Sequence, residues 1–194
     1  MEETKVYEVR EAIADPSTLG LASFALALFV LSFYNAGIIG ANSMFIIVPL
    51  ALITAWIHFM VASFGFRKNE LFTAVVFGTY GMFWAIYGLL QIGLAVLFIF
   101  DAPSFMIYCI AFTIFTFYVF IATLVTNKAV IYTIFLLLIV FVLLDLGLAG
   151  NPTFVVWAGY IGIVCALMAF YTSAAGLLGG LYGRSILPVG PVKS

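Results

Sequence analysis

Charged side chains along this chain are separated by long, almost purely apolar runs. No Asp, Glu, Lys or Arg occurs in residues 16–66, 71–100, 102–127 or 146–183. A helix that crosses the hydrocarbon core of a bilayer, about 30 Å thick, needs about 20 mostly apolar residues. The first run has room for two such helices. The stretch 71–127, divided by Asp101, holds two more, and the stretch 129–183 holds a further two. The pattern therefore predicts an all-α membrane protein with six transmembrane helices.

Turn and capping residues divide these runs into separate helices. The helices are predicted at about residues 18–39, 44–64, 71–100, 105–124, 129–148 and 154–181. Asp101 and Ser104 are candidate N-caps for the fourth helix, because such side chains accept hydrogen bonds from free backbone N–H groups. Residues 16–182 then form one membrane domain between tails at 1–15 and 183–194. No internal repeat is visible, so the pattern does not favour an inverted-repeat transporter.

The basic residues predict the orientation of these helices. An even number of spans places all seven on one face: Lys5, Arg10, Arg67, Lys68, Lys128, Arg184 and Lys193. Basic loops are preferentially retained in the cytoplasm. We therefore expect both tails to be cytoplasmic and the protein to lie in the cytoplasmic membrane.

The composition excludes a soluble globular domain. Hydrophobic residues make up 66% of the chain and charged residues 8%, against about 45–50% and 25% in soluble proteins. The net charge of −1 offers no basic patch for nucleic acid. Cys109 and Cys165 lie within apolar runs and form no metal or redox motif. The chain has one histidine and no nucleophile or phosphate-binding motif, so we expect neither an enzyme nor a cofactor.

Polar residues within the spans are the candidates for function, because such residues usually face the bundle interior or a water path. Asn35 and His58 are the strongest candidates, since neither can satisfy its own side chain. For His58, lining of a path and a hydrogen bond between helices both stay open. A protonated His58 would give a carboxylate a positive partner, since histidine changes charge near neutral pH. The weaker candidates are Thr79, Tyr80, Thr123 and Tyr171.

The scarcity of charge inside the membrane limits what could pass. No Lys or Arg lies in the middle of a span, and Asp145 is expected at the outer interface. A bare carboxylate is costly to hold without a charged partner. The permeating species should therefore be small, and either neutral or a monovalent anion that can take up a proton.

Several segments resemble one known family. Residues 14–21 read ADPSTLGL and resemble the N-P-A-P-L-G-L signature of the acetate uptake transporter family, the succinate–acetate permeases. Residues 80–84 read YGMFW, which is similar to that family's S-Y-G-x-F-W motif. Further similarity occurs at residues 34–37, 66–72 and 158–190, in the same order along the chain.

The resemblance implies a six-helix protomer with its own transport path, arranged with others as a hexameric ring in the lipid bilayer. It implies proton-linked uptake of acetate and similar short monocarboxylates, sometimes succinate. The residues that match the family's pore constriction are Phe24, Tyr80 and Leu137. Ala169, before Tyr171, matches a position associated with substrate size, and Trp84 belongs to the matched motif. His58 stands where the family has Gln.

Two other functions are compatible with the residues alone. One is a passive channel for a small neutral solute such as urea or a short amide, which would prefer urea to acetate and ignore pH. The other is a membrane scaffold or sensor, which would show no solute flux in liposomes.

The distribution of basic residues generates a prediction about topology. In a background without Cys109 and Cys165, one cysteine at a time is placed in a predicted outer turn, at Asn42, Ser104 or Asn151. Each should react with a membrane-impermeant thiol reagent added outside intact cells, whereas a cysteine at Lys68 should not. Labelling at Lys68 together with protection at Ser104 would contradict this orientation.

Overall fold

The structure, a computed structural model, describes residues 13–97 and 101–192. This part of the chain forms six α-helices: α1 Ser17–Asn35, α2 Met44–Arg67, α3 Leu71–Leu97, α4 Ala102–Thr123, α5 Lys128–Leu148 and α6 Thr153–Tyr182. A short 3-10 helix, Ala41–Ser43, precedes α2. Each of the six helices contains a stretch long and apolar enough to cross a membrane. The predicted all-α fold with six transmembrane helices is therefore confirmed.

Local backbone chemistry explains where the helix ends differ from the predicted ones. The first helix was predicted to reach residue 39 but ends at Asn35, shortly before Gly37, whose φ of +71° is a left-handed conformation. The fourth helix begins at Ala102 rather than 105, because the Asp101 Oδ2 atom accepts a hydrogen bond from the Ser104 backbone N–H at 2.9 Å. The predicted cap at Asp101 is thus confirmed. The predicted end of the third helix, at residue 100, and most of the tail at 1–15 lie outside the described residues.

Helices that follow one another in the chain also pack side by side. Contacts join α1 to α2 and continue in order to α6, which packs back against α1. The six helices therefore form a closed ring. The two basic turns of the described chain, at residues 67–68 and at Lys128, lie at one end of this ring. We call this the basic end, and the other the opposite end.

Glycines allow the closest approaches within the ring. On α6, a Cβ added to Gly159 would lie 2.7 Å from the Cα of Ala36 and from the backbone O of Ser32. On α2, a Cβ added to Gly65 would lie 2.8 Å from the backbone N of Ala74 on α3. These neighbours are backbone atoms and cannot rotate away. Small residues at such positions let membrane helices approach closely and gain van der Waals contact.

Hydrogen bonds between side chains and neighbouring helices reinforce the ring. The Ser173 hydroxyl on α6 donates to the Thr18 carbonyl of α1 at 2.8 Å, and the Tyr108 hydroxyl on α4 donates to the Phe83 carbonyl of α3 at 2.7 Å. The Thr113 hydroxyl on α4 donates to the Asp145 Oδ2 atom of α5 at 2.6 Å. Asp145 is only partly exposed, so the expectation that it sits exposed at the interface was incomplete: it links two helices.

The outer face of the ring is apolar. Large hydrophobic side chains point outward along several helices, including Phe45 at 87% exposure and Trp56 at 67%. An apolar exterior on this scale cannot face water in a stable monomer. Together with the lengths of the six helices, it identifies a multi-pass membrane protein.

After α6 the chain folds back over the basic end. The backbone N–H groups of Lys128 and Ala129, the first two residues of α5, donate to the carbonyls of Gly190 and Val189 at 2.9 and 3.1 Å. The Tyr171 hydroxyl donates to the Pro188 carbonyl at 2.7 Å. Residues 188–192 therefore form a strap over the turn between α4 and α5, which we call the tail strap.

The contact between α1 and α6 generates a prediction about stability. Gly159→Ala should destabilise the protein by about 1–3 kcal/mol, the usual cost of overpacking a tight core, because the backbone of α1 would have to move. Gly180→Ala, in the same helix, is the matched control, since no other helix or loop of the described chain comes within 4 Å of its added Cβ. The thermal unfolding midpoint of each purified variant in detergent measures the effect. Equal midpoints for the two variants would contradict the proposed close contact.

Candidate functional site

Three cavities follow one another through the ring. The inner cavity, about 200 Å³, lies at the basic end, and its wall includes Ser17, Phe72 and Asn127. The outer cavity, about 260 Å³, lies at the opposite end, and its wall includes Met44 and Phe105. Between them is a middle cavity of about 30 Å³, with room for about two water molecules. The six helices thus enclose a discontinuous path from one end of the ring to the other.

A ring of three side chains separates the inner cavity from the middle one. Phe24, Tyr80 and Leu137 are the three residues that the walls of both cavities share. Their exposures are 6%, 3% and 2%, and the rings of Phe24 and Tyr80 lie 6.3 Å apart between centroids. We call these three residues the neck. They come from α1, α3 and α5, one residue from each helix.

The same three helices line the path on both sides of the neck. On α1 the lining residues are spaced by four and three positions in turn: Ser17, Leu21, Phe24, Leu28, Leu31 and Asn35. This spacing keeps them on one helical face. Helix α3 contributes a similar stripe from Thr73 to Gln91, and α5 one from Val130 to Leu148. Among the described residues, the wall of the middle cavity comes from these three helices alone.

Among residues 13–97 and 101–192, no charged side chain lines this path. None of these residues in the walls of the three cavities is Asp, Glu, Lys or Arg. The polar groups of the inner cavity are hydroxyls, one amide and the imidazole of His58. A path of this kind offers a solute hydrogen bonds but no opposite charge.

Two residues of the path carry a buried polar atom that has no hydrogen-bond partner in the described structure: His58 Nδ1, beside the inner cavity, and Trp84 Nε1, beside the middle one. A buried polar atom without a partner is unfavourable, by about 1–3 kcal/mol. Asp145 Oδ1 is also without a partner, but Asp145 lines none of the three cavities. The unpaired atoms of His58 and Trp84 thus belong to side chains in the cavity walls and are the candidate partners for a solute there.

Six of the ten residues predicted from the sequence line the path. They are Phe24, Tyr80 and Leu137 at the neck, His58 in the inner cavity, Trp84 in the middle cavity, and Asn35 in the middle and outer cavities.

The other four predicted residues lie outside the three cavities. Thr123 is fully buried and donates to the Phe120 carbonyl at 2.6 Å. Ala169 is also fully buried, within the apolar core. Tyr171 holds the tail strap, and Thr79 is half-buried beside the stripe of α3. The residue beside the path that the prediction missed most plainly is Thr133, which lies four positions before Leu137 and so on the same face of α5.

The sequence matches one family over nearly its whole length. The profile of the GPR1/FUN34/yaaH family matches residues 3–188. The succinate-acetate/proton symporter SatP of Escherichia coli K12 is 29% identical over 187 residues, covering 92% of this chain and 96% of that protein. Acetate permease A of Emericella nidulans is 27% identical, covering 95% of this chain and 68% of that protein. An uncharacterised protein of Methanothermobacter thermautotrophicus is 31% identical, over 97% of this chain and 96% of that protein.

The fold also matches a solved structure. The bacterial acetate channel SatP superimposes with a TM-score of 0.84 and 27% sequence identity, over 92% of this chain and 99% of that chain. Sequence and fold lead to the same conclusion as the motifs at residues 14–21 and 80–84: this chain belongs to the GPR1/FUN34/yaaH family.

Proposed function

We propose that this protein is a membrane transporter or channel for acetate and similar short-chain monocarboxylates, and not an enzyme. The solute moves through the inner, middle and outer cavities of a single protomer. The observation that carries this proposal is the series of three cavities, closed at one level by the three residues of the neck. The acetate transport named for the two relatives and for the solved channel supports the choice of solute.

The size and polarity of the path fit a small acid. The middle cavity is too small for an ion with its hydration shell, so a solute that passes the neck must shed water there. A neutral wall raises the barrier for ions in the same way as other hydrophobic constrictions. A short monocarboxylic acid can lose its charge by taking up a proton, and then crosses without a fixed cation. We therefore propose that transport is linked to protons.

The path lies within a single protomer and does not depend on the oligomeric state. Since helices of one protomer line the middle cavity, each copy needs no partner residue at the neck. We propose a hexameric ring in the cytoplasmic membrane, as the family resemblance implies, with both tails in the cytoplasm.

The neck generates a prediction about substrate size. In proteoliposomes, Leu137→Ala should raise the uptake of butyrate relative to acetate by roughly tenfold, the discrimination that about one methylene in an apolar pocket provides. The control is Leu138→Ala, because Leu138 neighbours Leu137 on α5 but lines none of the three cavities. Labelled acetate and butyrate, measured as initial rates, give the ratio.

Two outcomes would count against the proposal. Unchanged ratios in Leu137→Ala would place the size limit elsewhere than the neck. Wild-type liposomes that carry urea but no acetate, at any pH, would instead favour the passive neutral-solute channel, which the uncharged walls also fit.

A further inference from the structure

The hydrogen bond of His58 determines which of its ring nitrogens carries the proton. The Nε2 atom lies 3.3 Å from the carbonyl oxygen of Gly20 on α1. A carbonyl only accepts hydrogen bonds, so Nε2 must be the donor. In a neutral imidazole the other nitrogen is then an acceptor. His58 is fully buried and its Nδ1 has no partner in the described structure, so it presents an unsatisfied acceptor beside the inner cavity.

The hydroxyl groups deep in the inner cavity, like His58 Nδ1, present hydrogen-bond acceptors to it. The Thr116 hydroxyl donates to the Phe112 carbonyl at 2.7 Å, so its oxygen accepts from the Tyr80 hydroxyl at 2.9 Å. The Thr133 hydroxyl donates to the Ala129 carbonyl at 2.8 Å. The O–H groups of Tyr80 and Thr133 therefore both donate to atoms of the protein. Toward the cavity, these two hydroxyls can act only as acceptors. Uncommitted donors remain on Thr73, in the first turn of α3, and on the Asn127 amide, the N-cap of α5, both near the basic end.

The polarity reverses across the neck. The Trp84 Nε1 atom beside the middle cavity is buried and unpaired, and an indole N–H can only donate. A solute that passes the neck from the deep part of the inner cavity therefore leaves the acceptors of His58, Tyr80 and Thr133. It meets the Trp84 donor beside the middle cavity, whose wall also holds the Asn35 amide.

We infer that the inner cavity holds the acid in its undissociated form, with the acid's O–H group donating to His58 Nδ1. This inference rests on the proposed function and specifies the chemical form of its substrate. A carboxylate has acceptors only and gains nothing from Nδ1, Tyr80 or Thr133. The undissociated acid has one donor for His58 on the inner side of the neck, and a carbonyl oxygen that can accept from Trp84 on the other. The proton travels on the substrate, and no bond of the protein is made or broken.

Within the described part of the chain, the path offers His58 no other proton partner. The titratable groups in the described wall of the inner cavity are His58 and Tyr80, and no described carboxylate or amine belongs to that wall. Helix α1 contributes the Gly20 carbonyl, and α3 contributes the Phe77 ring, 5.2 Å from the imidazole between centroids. Neither group carries a charge.

Nitrogen NMR tests this directly, because His58 is the only histidine of the chain. The full-length protein is labelled with [15N]histidine, purified without a histidine tag and reconstituted in bilayers. Without substrate, one ring nitrogen should be protonated and the other not. Adding acetate at mildly acidic pH should shift the unprotonated signal while the ring stays neutral. Acetamide, which keeps its N–H donors at every pH, should shift the same signal at both neutral and acidic pH.

Three results would overturn the inference. Acetate could convert both nitrogens to the protonated state, which would make His58 a cationic partner for the anion. It could leave both signals unchanged, which would make His58 a packing residue. Acetamide could fail to shift the signal that acetate shifts, which would show that the site does not recognise a neutral hydrogen-bond donor. Uptake of labelled acetate by wild-type liposomes is measured alongside: its absence defeats the proposed function, whereas uptake with any of these three results defeats only this inference.

His58→Gln provides a second, independent measurement. The glutamine side chain keeps an N–H group that donates and an oxygen that accepts, but it does not titrate. The acetate uptake of this variant should therefore show the same pH profile as the wild type. A wild-type profile that rises further on acidification than that of His58→Gln would mean that His58 itself takes up a proton during transport, contrary to the inference.

Discussion

Lipid cannot form hydrogen bonds, and this constraint decides where almost every polar atom of the molecule lies. A polar group within the bilayer must find a partner inside the protein or face a cavity. The hydroxyls of Thr113, Tyr108 and Ser173 meet the first condition and link neighbouring helices. His58 Nδ1 and Trp84 Nε1 remain unpaired beside the path. Of the three unpaired buried atoms in the described structure, two therefore belong to side chains in the path walls, and the third is Asp145 Oδ1 between α4 and α5.

The odd-numbered and even-numbered helices have different roles in the structure. Helices α1, α3 and α5 supply the neck and the stripes on both sides of it. Helices α2, α4 and α6 lie between them in the ring and hold them at fixed distances, through glycine contacts such as Gly159 with α1 and through bonds such as Tyr80 with Thr116. The position of the Tyr80 hydroxyl at the neck thus depends on a residue of α4 that lines none of the cavities.

The sequence predicted the number of helices and part of the path, and the limits of that prediction have physical causes. A charged side chain within lipid is energetically unfavourable, so the charge-free runs in the sequence indicated the extent of each span. The face of each helix that points into the bundle was harder to predict. Leu, Ile and Phe occur both in contact with lipid and in the core, and every helix here is apolar on all sides. Phe24 and Tyr80 were found through motifs, and Leu137 through an alignment along a featureless helix. Thr123 lies outside the three cavities, which the sequence could not indicate because a Thr bonded to its own helix looks the same in sequence as one beside a cavity. The partner of Tyr171 lies in the tail strap, which no local pattern indicates.

The tail strap has a consequence for the order in which the molecule is made. Helix α5 begins with two N–H groups whose acceptors, on Gly190 and Val189, follow α6 in the chain. Those acceptors are synthesised after all of α5, so the start of α5 can initially be capped only by Asn127 and water. The residues beside this junction, Thr126 and Asn127, also form part of the wall of the inner cavity. The mouth of the path at this end is therefore completed by residues that follow the last helix in the chain.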